Sequence, residues 1–362
     1  MALRFGVEEE YFVVDPVSRG VVPRAAAVVR RAGAALGERA STELVACLAE
    51  AKTSPCHDLD KLGEQIRSMR AVMAAAAAAE GVRLAASGTP VLGRLVPGPI
   101  TRGARYAESL AVYRGLDDEQ SICSCHVHVE MPDRERAVQV SNHLRPWLPT
   151  LLALTANSPY WAGRDTGHAC WRALAWARWP VAGPPPYFAS AAHYDDLVGA
   201  LLDCGALMDT GTIFWDVRPS ARLPTVEVRL ADVCPTAGEA AVFAALVRAL
   251  VQVSADAVDA GERAPDPPPE TLRAAYWLAA RHGLSGPGLD VRTGRPASFG
   301  AQAEDLLAHV RPALRGTGDL DPVARGVRTL VAGGTGAERQ RRAYRGRGLL
   351  TDVVDAVLLP GE

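Results

Sequence analysis

The chain has 362 residues, 48% of them hydrophobic and 22% charged, with a formal net charge of −2 at pH 7. That length fits one large domain or two closely joined ones, and the apolar content excludes a largely disordered chain. With near-zero charge and no polybasic block, nucleic acid or an anionic membrane is not expected as the main partner.

The first element, Gly6 to Asp15, is extended and apolar except for three acids at its start. Successive strand side chains alternate faces, so Glu8 and Glu10 point one way, about 7 Å apart, and Glu9 the other. Like charges that close resist joint ionisation unless a cation lies between them; a solvated acidic edge strand is the alternative. Next, Glu43 and Glu50 stand seven residues apart within Thr42 to Thr53. That spacing shares a helix face but splits across a strand unless a bulge intervenes, and a solvated helix is the simpler reading.

Residues 60–80, with the run Ala74 to Ala79, are expected to be helical, and Gly81 to Pro90 a strand ending in a turn. Cys123 to Glu130, read as a strand, places His126, His128 and Glu130 on one face and Cys123, Cys125, Val127 and Val129 on the other. One regular strand cannot aim both thiols and both imidazoles at a single zinc ion. The cysteines then read as small core residues, and the two histidines beside an acid as contacts for a ligand or phosphate.

Helices are predicted over 134–157 and 192–209, separated by a Pro/Gly/Trp-rich loop from Trp176 to Tyr187. A second extended block spans 213–232, where Val226, Val228 and Leu230 face a core while Glu227 and Arg229 share the other side. A surface ion pair would give the same pattern. A helix near 236–260, a stiff Pro-rich linker at 262–269 and a mostly helical part at 270–362 follow, with a basic, Gly-punctuated stretch from Gly333 to Gly348 before a last helix. Strands mixed with helices, without βαβ alternation, predict an α+β fold with an antiparallel sheet. The whole of 1–362 reads as one domain, with its sheet in about 1–260.

No stretch reads as long and apolar enough to span a bilayer, and the acidic motif starts too early for a removable signal peptide to precede it. The seven cysteines lack a disulfide-framework spacing. Together these features predict a cytoplasmic protein.

Three acid-bearing segments, a His-x-His strand and a Glu-x-Arg strand describe a polar site floored by antiparallel strands. Hard carboxylate oxygens suit Mg²⁺ or Mn²⁺, which bridge nucleotide phosphates. The sequence contains no P-loop, no Gly-x-Gly-x-x-Gly dinucleotide fingerprint and no Gly-x-Ser-x-Gly elbow.

In their order, these segments resemble the bacterial carboxylate–amine ligase family, also called glutamate–cysteine ligase type 2, of the glutamine-synthetase-like superfamily. The resemblance rests on Gly6-Val7-Glu8-Glu9-Glu10, Glu43-Leu44 with Glu50-Ala51-Lys52-Thr53, Ser87-Gly88-Thr89-Pro90, Arg105-Tyr106 and His126-Val127-His128-Val129. It continues through Ser158-Pro159-Tyr160 with Gly163, Asp165-Thr166 and Arg172, then Trp215-Asp216-Val217-Arg218-Pro219-Ser220 and Thr225-Val226-Glu227-Val228-Arg229, over about residues 5–350.

The resemblance implies a glutamine-synthetase-like fold in which antiparallel strands, flanked by helices, form a funnel around ATP and two or three Mg²⁺ ions. It also implies that ATP phosphorylates a carboxylate, usually the γ-carboxylate of glutamate, and that an amine, usually cysteine, displaces phosphate to give an amide and ADP. Glu8, Glu10, Glu43, Glu50, His128 and Glu227 would then bind metal, and Arg229, with Glu227, would steady the phosphoryl group in transfer. Arg172 and Arg218 become candidates for the substrate carboxylate or phosphates, since a guanidinium fork suits both. His126 falls to substrate or ATP.

The chain departs from the family pattern twice. Glu130 replaces the usual Gly, either as an added ligand or lure for a cationic amine, or as a strand-end charge in solvent. Gly88-Thr89-Pro90 lacks the His of Gly-Thr-His-Pro, which leaves the substrates open. Small-molecule carboxylate and amine substrates are the expected partners, and exposed sheet edges offer a homodimer contact. Two rival readings are a metal-dependent hydrolase, with His126, His128 and the acids activating water, and a non-catalytic nucleotide binder of the same fold. Unpaired buried carboxylates are costly, which weighs against the second.

Overall fold

The computed structural model describes residues 2–93 and 96–360. Seven strands form one sheet: β1 (Phe5–Val14), β2 (Ala40–Thr42), β3 (Leu48–Lys52), β4 (Arg83–Ala85), β5 (Ser124–Glu130), β6 (Val217–Pro219) and β7 (Thr225–Asp232). Their order is β6-β7-β5-β1-β3-β2, with β4 also on β1, and every pairing is antiparallel. Strand β5 holds β1 over Phe5 to Glu9 and β4 holds it over Phe12 to Val14, so the long first strand serves two neighbours on one edge.

The predicted alternation is realised. Val7, Val127, Val129, Val226 and Val228 are buried in one apolar cluster on the back of the sheet. The helices used below are α1 (Ala25–Leu36), α2 (Leu59–Ala79), α3 (Ala104–Tyr113), α4 (Arg134–Leu144), α5 (Leu148–Leu154), α6 (Trp171–Trp176) and α7 (Ala237–Asp259). Helix α7 is the hub of the back layer, touching α2, α4, β1, β5 and the helices Phe299–Thr317 and Leu320–Gly333. The Asp58 side chain accepts from Lys61 N at the start of α2, and Thr236 accepts from Glu239 N at the start of α7, each satisfying a free amide of a first turn.

Several boundaries differ from the sequence reading for local reasons. The expected helix at 134–157 is broken into α4, a 3₁₀ turn at Arg145–Trp147 and α5. Pro146 and Pro149 have no amide to donate, so the ladder cannot run through them. The helix expected over 192–209 ends at Asp203, and Gly205 follows at φ +75°. The basic stretch near 333–348 is itself a helix, Gly336–Arg347, started by a reciprocal cap between Thr335 and Glu338.

Helix α7 also corrects the expectation that nothing could cross a bilayer. It has 23 residues and contains an 18-residue window of mean hydropathy 1.7, enough by length and composition and the one such helix among the described residues, yet 67% of that window is buried inside the protein. An all-round apolar helix is what a core position demands.

Candidate active site

The front of the sheet is polar because antiparallel register stacks the acids and histidines across neighbouring strands. Glu8 pairs with Lys52 on one side and His126 on the other, and Glu10 pairs with Glu50, which in turn pairs with Ser41. Farther across, His128 pairs with Glu227, and Glu227 with Arg218. Directly opposed residues share a face, so these side chains form a band across the sheet. Glu9 falls on the back, where its carboxylate meets Arg70 at 2.5 Å and accepts from the Tyr11 hydroxyl at 2.6 Å.

Glu43 lies in the connection between β2 and β3, outside any helix. The chain reverses between Thr42 and Leu48, and this turn brings Glu43 and Glu50 to one side despite their odd separation. Oxygens of Glu10, Glu43 and Glu50 lie within 4.8 Å of one another. Burial, and then the neighbouring Glu50, push the Glu10 carboxyl up to about 7. Burial, Glu50 and Glu10 hold Glu43 well above the usual carboxylate range. Local counter-charge is scarce: Lys52 Nζ sits 2.9 Å from Glu50 and 3.6 Å from Glu8, bridging this group to the next. Ser124 donates from its amide and hydroxyl to Glu10 at 2.7 and 2.8 Å, and Ser41 donates to Glu50 at 2.5 Å.

A second group gathers around Glu8, His128 and Glu227. His128 Nδ1 is 2.9 Å from the Thr225 hydroxyl. Its Nε2 lies 3.6 Å from Glu8 and 3.9 Å from Glu227, buried and without a hydrogen-bond partner among the described residues. Burial opposes the charge on Glu8, but the imidazoles of His126 and His128 outweigh it and hold the carboxyl far below its ordinary value. His128 is raised, since Glu8 and Glu227 overcome the cost of burial. Burial and the Arg229 charge push His126 down to about 4, so it is a neutral ring at pH 7. Glu227 is held down against burial by Arg229 and Arg218, both of which contact its carboxylate, Arg218 Nε at 3.0 Å.

Both groups open on one cavity of about 490 Å³, lined by every expected site residue except Glu130. Glu130 lies at the end of β5, where Arg4 takes its carboxylate at 2.6 Å. Arg172 is reached by the cavity, but its guanidinium is bound into the sheet. It donates to the carbonyls of Arg229 and Ala231 at 2.8 and 2.7 Å and faces Asp232 at 3.3 Å. The reason is a bulge in β7: Val228 pairs with Val127, but the next pair is Ala231 with Cys125, leaving one extra residue. The extra residue reverses parity, so Asp232 comes round to the face of Glu227, opposite Ser124. Asn157 N and Ser158 Oγ donate to Asp232 at 2.6 and 2.7 Å, and a Cβ on Gly88 would come within 2.5 Å of it. Arg218 also donates to the carbonyl of Ile213.

Sequence reasoning gave no role to Lys52, Ser124 or Asp232. Lys52 shares the parity of Glu50, and Ser124 that of His126, so strand alternation alone was a sufficient signal for those two. A further wall of the cavity is aromatic. Trp176 and Phe214 pack with ring centroids 4.6 Å apart and planes tilted by 55°, and Trp179 lies 5.3 Å from each. Trp176 ends α6 and Phe214 opens a two-residue strand whose pairing with Ala182–Gly183 brings them together.

The donor set fits divalent cations. Crowded carboxylates and an unpartnered imidazole nitrogen are what a bound dication would satisfy, and oxygen with one nitrogen suits Mg²⁺ or Mn²⁺.

The family model for glutamate–cysteine ligase family 2 matches residues 4–356. A Saccharopolyspora erythraea protein with the provisional name glutamate–cysteine ligase 2-1 is 44% identical over 357 residues, covering 99% of this chain and 94% of that one. A Nocardia farcinica protein of the same provisional name is 45% identical over 341 residues, covering 94% and 88%. Among solved structures, the chain is similar to the glutamate–cysteine ligase of Francisella tularensis in complex with AMP, with a TM-score of 0.73 at 12% identity over 99% of this chain and 88% of that one. It is also similar to the ligase PafA in complex with the prokaryotic ubiquitin-like protein Pup, with a TM-score of 0.54 at 14% identity over 99% and 72%. At such identities the structural likeness is one of fold, and it matches the antiparallel, glutamine-synthetase-like sheet expected from the sequence.

Proposed function

The chain belongs to glutamate–cysteine ligase family 2, and from that premise we propose that it is an ATP-dependent carboxylate–amine ligase working through an acyl phosphate. The observation that carries this reading is the pair of acidic groups sharing one cavity with Arg218 and Arg229. Glu10, Glu43 and Glu50 would hold one divalent cation, and Glu8, His128 and Glu227 another. Bound Mg²⁺ supplies charge neutralisation for nucleotide phosphates.

A substrate carboxylate oxygen attacks the γ-phosphorus of ATP, and the bond to ADP breaks. The amine nitrogen then attacks the acyl carbon, the carbon–oxygen bond to phosphate breaks, and the proton lost from nitrogen leaves with phosphate. A carboxylate alone is a poor acyl donor because its leaving group would be oxide. Arg229, aimed into the cavity beside Glu227, offsets charge on the phosphoryl group as it moves. Glu227 keeps Arg229 and Arg218 in place as well as offering a metal ligand. Glutamate and cysteine, which appear in the relatives' names, are the reference substrates, with the γ-carboxylate of glutamate as the acyl donor that the family resemblance implies. Buried, unpaired thiols at Cys47, Cys56, Cys123, Cys125, Cys170 and Cys234 suit a reducing compartment such as the cytoplasm.

The test is ADP release with Mg²⁺ and ATP over a matrix of carboxylates and amines, with product mass. Signal that needs both partners supports a ligase; turnover of an amide without ATP would instead support the hydrolase. Glu227→Gln should lower ADP release at least about 100-fold, the scale of losing a group that stabilises charge in the transition state, while circular dichroism stays unchanged. Near-normal turnover in that variant removes Glu227 from the machinery.

A further inference from the structure

We propose that the amine accepted by this site carries an aromatic or bulky apolar group, which lies on the Trp176–Trp179–Phe214 wall. This deepens the ligase reading and rests on it for the reaction, though not for the binding. The cavity has two chemically unlike parts. Carboxylates, histidines and arginines make one part of the lining, where phosphates and metal would belong, and another part is three rings within 5.3 Å of one another.

Arg105, in the cavity lining, and Tyr113, against Trp179, are engaged within the protein. Arg105 is paired with Asp209, whose Oδ1 also accepts from Gly211 N and Thr212 N at 2.8 and 3.1 Å. Tyr113, packed 4.7 Å from Trp179, receives the amide of Met208 at 3.2 Å through its hydroxyl. The three rings themselves offer a nucleobase no partner for its ring nitrogens, whereas hydrocarbon needs no such match. The side chain of cysteine, one methylene and a sulfur, covers little of a three-ring wall. Offset or edge-on contact with a substrate ring covers much more, and aromatic pairs favour those arrangements.

The experiment reads the wall directly through tryptophan fluorescence. The full-length protein, with Mg²⁺ and a non-hydrolysable ATP analogue, is titrated with phenethylamine, with ethylamine and with cysteine. The expected result is a response to phenethylamine at a concentration at least about 10-fold lower than for the other two, in the range a hydrophobic pocket can discriminate. Trp176→Ala should erase that preference and Trp176→Phe should keep it, both folded by circular dichroism. Equal responses to the three amines would overturn the proposal. So would a Trp176→Ala variant that weakens the ATP analogue as much as phenethylamine, because the wall would then belong to the nucleobase. If phenethylamine is preferred but no carboxylate–amine pair releases ADP, the ligase reading fails and the wall assignment stands. If cysteine is joined to glutamate and phenethylamine is neither bound nor used, the ligase reading stands and the wall assignment fails.

Discussion

Arg229 spends one nitrogen on the Glu227 carboxylate and stands 3.5 Å from His126 with the same nitrogen, so its place over the cavity is fixed from two sides. Arg229→Lys keeps the charge and loses the planar fork. The expected loss is about 10²–10³-fold in kcat, with KM for ATP moving less than about 3-fold, because the group acts on charge that develops during transfer. A change confined to KM would make it a ground-state contact. Glu10, Glu43 and Glu50 have little counter-charge beyond Lys52. Saturating Mg²⁺ at 100 times Kd should add about 2.7 kcal/mol and raise Tm by several degrees. Glu43→Gln should reduce that rise to what the Glu8–His128–Glu227 group supplies, while leaving the metal-free Tm the same or higher, since it relieves crowding. A wild-type Tm indifferent to Mg²⁺ would count against the cation sites.

At the scale of elements, the bulge in β7 decides what Arg172 does. Its guanidinium caps the carbonyls of Arg229 and Ala231 and balances Asp232, so Arg172→Met strands a buried carboxylate. Such a loss costs about 3–5 kcal/mol, visible as a lower denaturant midpoint. Adding Asp232→Asn should recover part of it. A variant of normal stability with a raised substrate KM would return Arg172 to substrate binding, as the sequence suggested.

The same elements mark how far the sequence could be read. Parity along a regular strand was enough for Glu8 and Glu10 against Glu9, for His126 with His128, and for Glu227 with Arg229. It could not bring Glu43 to Glu50, because a turn between strands cancels the alternation on which the argument stood. Nor could it foresee Asp232, whose side of the sheet is set by an inserted residue with no turn-forming signature. Glu130 has the right parity and lies outside the cavity, since a strand end lets Arg4 claim it. The aromatic wall escaped because Trp176, Trp179 and Phe214 meet only through the pairing of two very short strands.

Over the whole molecule, the long apolar helix α7 sits at the centre of the back layer, where α2, α4 and the helices Phe299–Thr317 and Leu320–Gly333 cover it. The expressed chain should therefore stay in the supernatant after ultracentrifugation without detergent; recovery in the membrane pellet would mean that α7 leaves the core. The sheet in front of that layer gathers acids from distant parts of the chain, and Lys52 stands between their two groups, within 3.6 Å of both Glu8 and Glu50. On the proposed reading the metal-free sheet thus carries a provisional counter-ion of its own, and loading would be an exchange in which an incoming dication displaces a tethered ammonium.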